Sequence, residues 1–229
     1  MQLQCIIAIR KLLDCNFTRK AIISKDVSVL QIVFNIGHAH LNSKEHIEEA
    51  ARCISQCARA ETCRRYIMHR RLYAYVVTWC KKYQNTPTTL RSALRLFNWV
   101  ATTPDRIKEL CDSGGVVPVI IRVMKKHLTS GMVLGPGMLF LTRASSIHSP
   151  AMACILRMRA TPLMIKALMA LYSDAYLQLE GLKMLQCISK TAEGWKQISE
   201  TRGGWQNLTQ GTPLGNALVG DLCMMLKRL

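Results

Sequence analysis

The stretch SALRLFNWVATTPDRIKELCDSGGVVPVIIRVMKKH, residues 92–127, decides the fold of this chain of 229 residues. Apolar residues in its first part recur every three or four positions, as on one face of a helix. A short polar-to-apolar helix around Leu110 follows and ends at a Gly-Gly pair, where glycine suits a helix C-terminus. Another apolar pattern starts at Val116, with Pro118 in its first turn, where a missing N–H costs nothing. The stretch therefore predicts a long, a short and a medium helix in succession.

This order of helices recurs along the chain. Segments with a small first residue start at positions 5, 50, 93, 137 and 181, which are 45, 43, 44 and 44 residues apart. If that residue is place 0, then places 0, 4, 7 and 8 are small or apolar and form one helical face. The medium helix starts at Val27, Leu72, Val116 and Thr161, spaced by 45, 44 and 45 residues. No stretch alternates at period two, so the sequence predicts an all-α chain.

A repeat of this length, with a corner glycine, a second helix and a long third helix, resembles the armadillo repeat family. SGGVVPVIIRVMKKH leading to GPGMLFLTRAS carries the resemblance best, together with residues 92–115. HEAT repeats share the length but usually have two helices per unit. The resemblance implies a right-handed superhelical solenoid, one domain over residues 1–229, whose long helices line a concave groove. Four full units and two partial ones are expected, at about 1–26, 27–71, 72–115, 116–160, 161–204 and 205–229.

Places 2 and 6 of the long helices look away from the apolar face and, in the armadillo fold, would face the groove. The importin-alpha members of that family carry Trp at place 2 and Asn at place 6, and this ladder is missing here. Half of the ten residues at these places are basic and none is acidic. The predicted partner-binding residues are Lys11, Arg52, Arg95, Trp99, Arg143 and Lys183.

The charge of the chain points to an acidic partner. Its 31 Lys and Arg against 14 Asp and Glu give a net charge of +17, which would repel a basic nuclear-import peptide. No acid occurs between Asp112 and Asp174, and residues 52–82 hold eight basic residues against the single acid Glu61. Such a field favours an acidic protein, nucleic acid or membrane surface.

The composition excludes other classes. With 49% hydrophobic residues and 20 Gly and Pro in all, the chain is neither disordered nor fibrous. No apolar run is long enough to span a membrane, and the opening residues lack the features of a secretory leader. The ten Cys show no CxxC and several fall at core places, so we expect reduced thiols and an intracellular, reducing compartment.

Candidate chemistry is sparse. Cys53, Cys57 and Cys63 are the densest thiol group, and place 7 of the repeat explains Cys57 as a core residue rather than a zinc ligand. Three histidines near one loop could bind a metal together, or they could be loop side chains that simply face water. These are His38, His40 and His46. Phosphate-loop, dinucleotide and hydrolase motifs are absent and carboxylates are few, so we expect no catalytic residues, no cofactor and no metal.

The sequence thus predicts a non-catalytic scaffold that binds an acidic protein segment or surface through a basic groove. By family analogy alone, the acidic partner could be tubulin in a ciliary or microtubule complex, or a neighbouring subunit of a large assembly. The alternative is a basic component that contacts RNA in a ribonucleoprotein such as a mitochondrial ribosome. Cytoplasm, cytoskeleton or cilium is therefore expected, with mitochondrion and nucleus as alternatives. Uncovered apolar residues in the end helices would also allow end-to-end self-association. These are Ile6, Ile9, Leu218, Leu222 and Leu226.

Overall fold

The structure is a computed structural model that describes residues 1–14, 28–113 and 115–201. These residues form 13 α-helices and no strand, which confirms the all-α prediction for this part of the chain. The chain divides into two compact units, Met1–Val119 and Ile120–Leu229. Each unit is described by itself below.

From residue 28 to residue 200, successive helices are separated by a few residues. Their bounds are α1 Gln2–Asp14, α2 Ser28–Ala39, α3 Lys44–Cys57, α4 Glu61–His69, α5 Tyr73–Lys82, α6 Pro87–Val100, α7 Pro104–Asp112, α8 Val116–Lys126, α9 Gly131–Ile147, α10 Ser149–Arg157, α11 Ala160–Ala170, α12 Ala175–Ser189 and α13 Ala192–Glu200.

After α1, the described helices follow one another in the order medium, long, short. The medium helices α2, α5, α8 and α11 begin 45, 43 and 44 residues apart. The long helices α3, α6, α9 and α12 begin 43, 44 and 44 residues apart, and the short helices α4, α7, α10 and α13 begin 43, 45 and 43 apart. The three-helix period read from the sequence is therefore present in the backbone.

The apolar face predicted for the long helices is buried in α3, α6, α9 and α12. At place 4, for example, Ile54, Phe97, Leu141 and Leu185 are all fully buried. In the first unit α1, α3 and α6 pack one on the next, and in the second unit α9 packs along α12. Removal of these side chains from water supplies the main stabilisation, at roughly 1.5–3 kcal/mol for each fully buried large residue.

Helix α1 departs from the predicted register. Its buried residues are Ile6 and Leu13, whereas Cys5 and Leu12 at places 0 and 7 are exposed. Between the two buried residues lies Arg10, whose Nε donates to Glu49 of α3 at 2.6 Å. The face turned to α3 is thus one position, roughly 100°, away from the predicted face. Contrary to the expectation for these two residues, Ile6 is therefore buried and Ile9 is half-buried, although Leu12 of the same helix is exposed. Residues 218–226 lie outside the described part.

A left-handed residue marks each described corner between a short and a medium helix. Arg71, Gly115 and Arg159 have φ of 50°, 57° and 50° and are 44 residues apart in sequence. Glycine adopts this conformation without steric cost, whereas a residue with a Cβ pays roughly 1–2 kcal/mol. The two arginine corners therefore have the same left-handed backbone as the glycine corner, and the backbone of each arginine is strained.

Close approach of helices explains the glycine at place 0 of α12. A Cβ on Gly181 would lie 2.4 Å from Cδ2 of Leu168 on α11, nearer than real Cβ contacts allow. The same place is Ala50 in α3 and Ala93 in α6, and both are buried. A small residue is therefore needed wherever a medium helix crosses a long one.

The thiols are consistent with the expected core role. The eight described cysteines form no disulfide; Cys53, Cys57, Cys63 and Cys80 are buried, and of the others only Cys5 is exposed. Burial raises the pKa of the Cys80 thiol to about 12. No helix within the described ranges is long and apolar enough to cross a bilayer.

Candidate functional site: the outer face of the long helices

The six predicted partner-binding residues lie on α1 and on the long helices, and all of them reach solvent. Lys11, Arg52, Arg95 and Trp99 belong to α1, α3 and α6 of the first unit, and Arg143 and Lys183 belong to α9 and α12 of the second. Lys11, Arg95, Trp99 and Lys183 are exposed, whereas Arg52 and Arg143 are half-buried. None of them is in the core.

Arg52 has its charge offset by its own helix. Its Nη2 lies 2.5 Å from a carboxylate oxygen of Glu48, and its Nη1 lies 3.1 Å from Glu49. Both acids precede it by one turn, the spacing at which helical side chains meet. Glu49 also accepts from Arg10 of α1, so these side chains form one ion-pair network across α1 and α3. Places 2 and 6 carry no acid, as the sequence shows, but the two acids Glu48 and Glu49 lie beside Arg52 on the same helix.

Trp99 on α6 is the exposed aromatic residue of the first unit's face. Its residue surface is 39% exposed, and the guanidinium carbon of Arg59 lies 5.8 Å from its ring centre. Arg95 precedes Trp99 by one helical turn and is itself exposed. A ring, a stacked guanidinium and a second cation thus share one surface. We call Arg59, Arg95 and Trp99 the Trp99 platform.

Arg59 was not among the residues predicted from the sequence. It follows α3 by two residues and reaches Trp99 on the next long helix, 40 positions further along the chain. Its backbone carbonyl accepts a hydrogen bond from Arg64 Nη1 at 2.8 Å, which holds the corner in place. The only sequence signal was its position just past the end of a long helix, one repeat before Trp99.

An ion-pair cluster next to the platform links neighbouring repeats. Glu61 at the start of α4 accepts from Arg106 of α7 at 2.5 Å, and from Arg64 at 2.9 Å and Arg65 at 3.3 Å. The guanidinium of Arg106, together with that of Arg64, lowers the pKa of Glu61 to about 2. Arg106 lies 45 residues after Glu61, so this bridge spans one repeat period. A single carboxylate is therefore shared by three guanidinium groups, and the cluster keeps a positive charge.

In the second unit the corresponding face is mainly apolar. Lys183 pairs with Glu180 of its own helix at 3.0 Å, and Glu180 is itself buried. Arg143 lies between Leu139 and Ile147 on α9, and Tyr176 lies two turns before Lys183 on α12. The two cations are therefore set among Met, Leu, Ile and Tyr side chains.

The histidine and cysteine groups do not form a metal centre within the described residues. His40 and His46 stack at 4.2 Å between ring centres, and His38 instead contacts the Tyr75 ring at 4.9 Å. Burial, with the neighbouring His40, lowers the pKa of His46. Cys63 hydrogen-bonds with Cys57 inside the core, and this contact together with burial raises the pKa of its thiol well above the ordinary value. These groups are explained by packing.

Comparison with protein-family models, with curated proteins and with solved structures gives no significant match for this chain.

Proposed function

We propose that the chain is a non-catalytic protein-interaction scaffold of the armadillo type, a right-handed superhelical solenoid that binds acidic protein segments or surfaces with its long helices. The architecture is supported by the medium, long, short order of helices and by left-handed corners at Arg71, Gly115 and Arg159, 44 residues apart. Stacked repeats of this kind create extended binding surfaces.

The Trp99 platform is the observation that carries the proposed function. Part of the Trp99 ring stays in contact with water, so its full burial in an interface would be favourable. Trp and Arg are also strongly enriched among the residues that contribute most of the binding energy of interfaces. A guanidinium supplies a rigid fork of donors that fits a carboxylate with two hydrogen bonds. An acidic side chain that bonds Arg59 or Arg95 would bring its neighbouring residues against the Trp99 ring.

The net charge of +17 supports an acidic protein as the partner class, because like charge would repel a basic one. The acidic surface of tubulin, or an acidic neighbouring subunit in a large assembly, has the required chemistry. The site of action would then be the cytoplasm, the cytoskeleton or a cilium.

The test uses the full chain and a fluorescein-labelled Glu-rich peptide, with binding followed by fluorescence anisotropy at about 150 mM salt. The double variant Arg59→Glu/Arg95→Glu should bind at least about tenfold more weakly, since two cations at the contact become repulsive. Lys81 and Lys108 are exposed and lie off the platform, so Lys81→Glu/Lys108→Glu is the charge-matched control. It should lose less than about threefold; equal losses would refute a localised site.

RNA is the second candidate partner, and the surface of α4 favours it. Arg65 on α4, and Arg70 and Arg71 at the corner after it, are exposed, and Glu61 is the only acid of that helix. Such a surface suits phosphate contacts that are not specific to sequence. A single-stranded RNA that displaces the Glu-rich peptide at equal charge concentration, with a steeper salt dependence, would move this candidate ahead of the protein partner.

A further inference from the structure

The exposed face of α9 and α12 in the second unit carries apolar side chains that the core leaves in solvent. Met132 and Ile147 on α9 are each 40% exposed, and Tyr176 on α12 is 51% exposed. The Tyr176 ring lies against Gly135 of α9, where an added Cβ would be 2.9 Å from its Cε1 atom. The ring is thus seated in the cleft between the two helices by the absence of a side chain at Gly135.

The spacing of these residues places them on one side of each helix. Met132, Leu139, Arg143 and Ile147 are separated by seven, four and four positions on α9, and Tyr176, Leu179 and Lys183 by three and four on α12. Since α9 packs along α12, the two rows are adjacent. We call the five apolar members the apolar strip: Met132, Leu139, Ile147, Tyr176 and Leu179.

Cations stand within the strip, and acid is sparse near it; Asp174 lies at the end that carries Met132 and Tyr176, with its carboxylate against Gly131. Arg143 lies in the α9 row and Lys183 in the α12 row. The sequence of α9 contains no Asp or Glu, and that of α12 contains only Glu180, which is buried and paired with Lys183 at 3.0 Å. A ligand with carboxylates beside apolar groups complements this arrangement in both charge and polarity.

We propose that the apolar strip binds bulky apolar side chains of an acidic partner segment, one in which residues such as Leu or Phe are interleaved with Asp or Glu. This rests on the proposed function, since it adds the apolar requirement to the same class of acidic ligand. Met side chains adapt to varied apolar groups, and a rigid Tyr ring offers contact area at little entropic cost. The strip therefore selects among acidic segments, and net charge alone does not suffice for tight binding.

Two fluorescein-labelled peptides of equal length and equal Glu content test this inference on the full chain. One carries Leu at the remaining positions and the other carries Ser. The Leu peptide should bind at least about tenfold more tightly, because it removes apolar surface from water on both sides. Equal affinities would overturn the apolar strip and leave the proposed function standing, whereas binding of neither peptide would contradict both.

The variant Met132→Ser/Tyr176→Ser tests whether the preference for the Leu peptide arises at the apolar strip. It should bring the affinity of the Leu peptide to within about threefold of that of the Ser peptide and leave the Ser peptide unchanged. Met169→Ser/Tyr172→Ser is the matched control, because both side chains are exposed in the same unit but lie on α11 and the turn after it. An equal loss in the control would overturn the assignment to α9 and α12. If the loss of Tyr176 lowers helicity, Met132→Ser/Ile147→Ser makes the same test within α9.

Discussion

Among single residues, the left-handed corners carry the clearest energetic consequence. Arg71→Gly should raise the free energy of unfolding by about 0.5–1 kcal/mol, because relief of roughly 1–2 kcal/mol of steric strain exceeds the added entropy of a glycine in the unfolded chain. Arg159→Gly should raise it by less, because it also removes the ion pair of Arg159 with Glu200. Chemical denaturation of the full chain measures this. Arg70→Gly removes the same charge at a position with φ of −87°, so it should lower stability. A loss of stability in all three variants would contradict a strained corner.

The residues of the binding face also differ from one another in their surroundings. Arg95→Ala should weaken Glu-rich peptide binding several-fold more than Arg52→Ala, because Arg95 is exposed and belongs to the Trp99 platform, whereas Arg52 is half-buried and lies outside it. Arg52 would have to give up its contacts with Glu48 and Glu49 in order to bond a ligand carboxylate, so it is the weaker binding group. Anisotropy titration of the two variants side by side checks the order, and a larger effect at Arg52 would show that its ion pairs open on binding.

At the scale of helices, Glu61 joins α4 to α7 and should stabilise the contact between their repeats. Glu61→Gln should cost roughly 0.5–1 kcal/mol at pH 7, the upper range for a partly exposed ion pair. Because the pKa of Glu61 is lowered from 4.5 to about 2 in the folded chain, its contribution is present above about pH 4.5 and disappears as the pH falls towards 2. Urea denaturation at pH 7 and pH 3 should show the difference between wild type and variant shrinking at the lower pH. A difference that grows on acidification would contradict this ion pair as the source.

The order and period of the helices could be predicted from the sequence because burial imposes them. The same four places must be small or apolar in every long helix, and the chain shows this at 43–45 residue intervals. The rotation of α1 could not be predicted, since its face is set by Arg10 reaching Glu49 on another helix. The left-handed backbone of Arg71 and Arg159 could not be predicted from an arginine alone. Their equivalence in the repeat with Gly115 is what suggests it.

The candidate site was predictable in part for the same reason. Places 2 and 6 are accessible in α3, α6, α9 and α12, as helical geometry requires. The pairing of Arg52 could also have been read, since Glu48 and Glu49 precede it by one turn. The contact between Arg59 and Trp99 could not, because it depends on how a corner side chain crosses to the next long helix. The apolar character of the exposed face of α9 and α12 was not predicted, because the prediction considered only the basic residues of that face.

For the whole molecule, the central proposal is that acidic ligands bind the exposed face of the long helices. The most direct measurement is photo-crosslinking of the full chain with a Glu-rich, Leu-containing peptide that bears a diazirine group, followed by mass spectrometry of the crosslinked peptides. We expect crosslinks within residues 91–102 around the Trp99 platform and within residues 132–147 and 176–183 along the apolar strip. Arg59→Glu/Arg95→Glu should remove the first set and leave the second. Crosslinks concentrated on the short helices, at residues 64–71 and 104–112, would contradict the central claim and place the ligand on the surface that favours RNA.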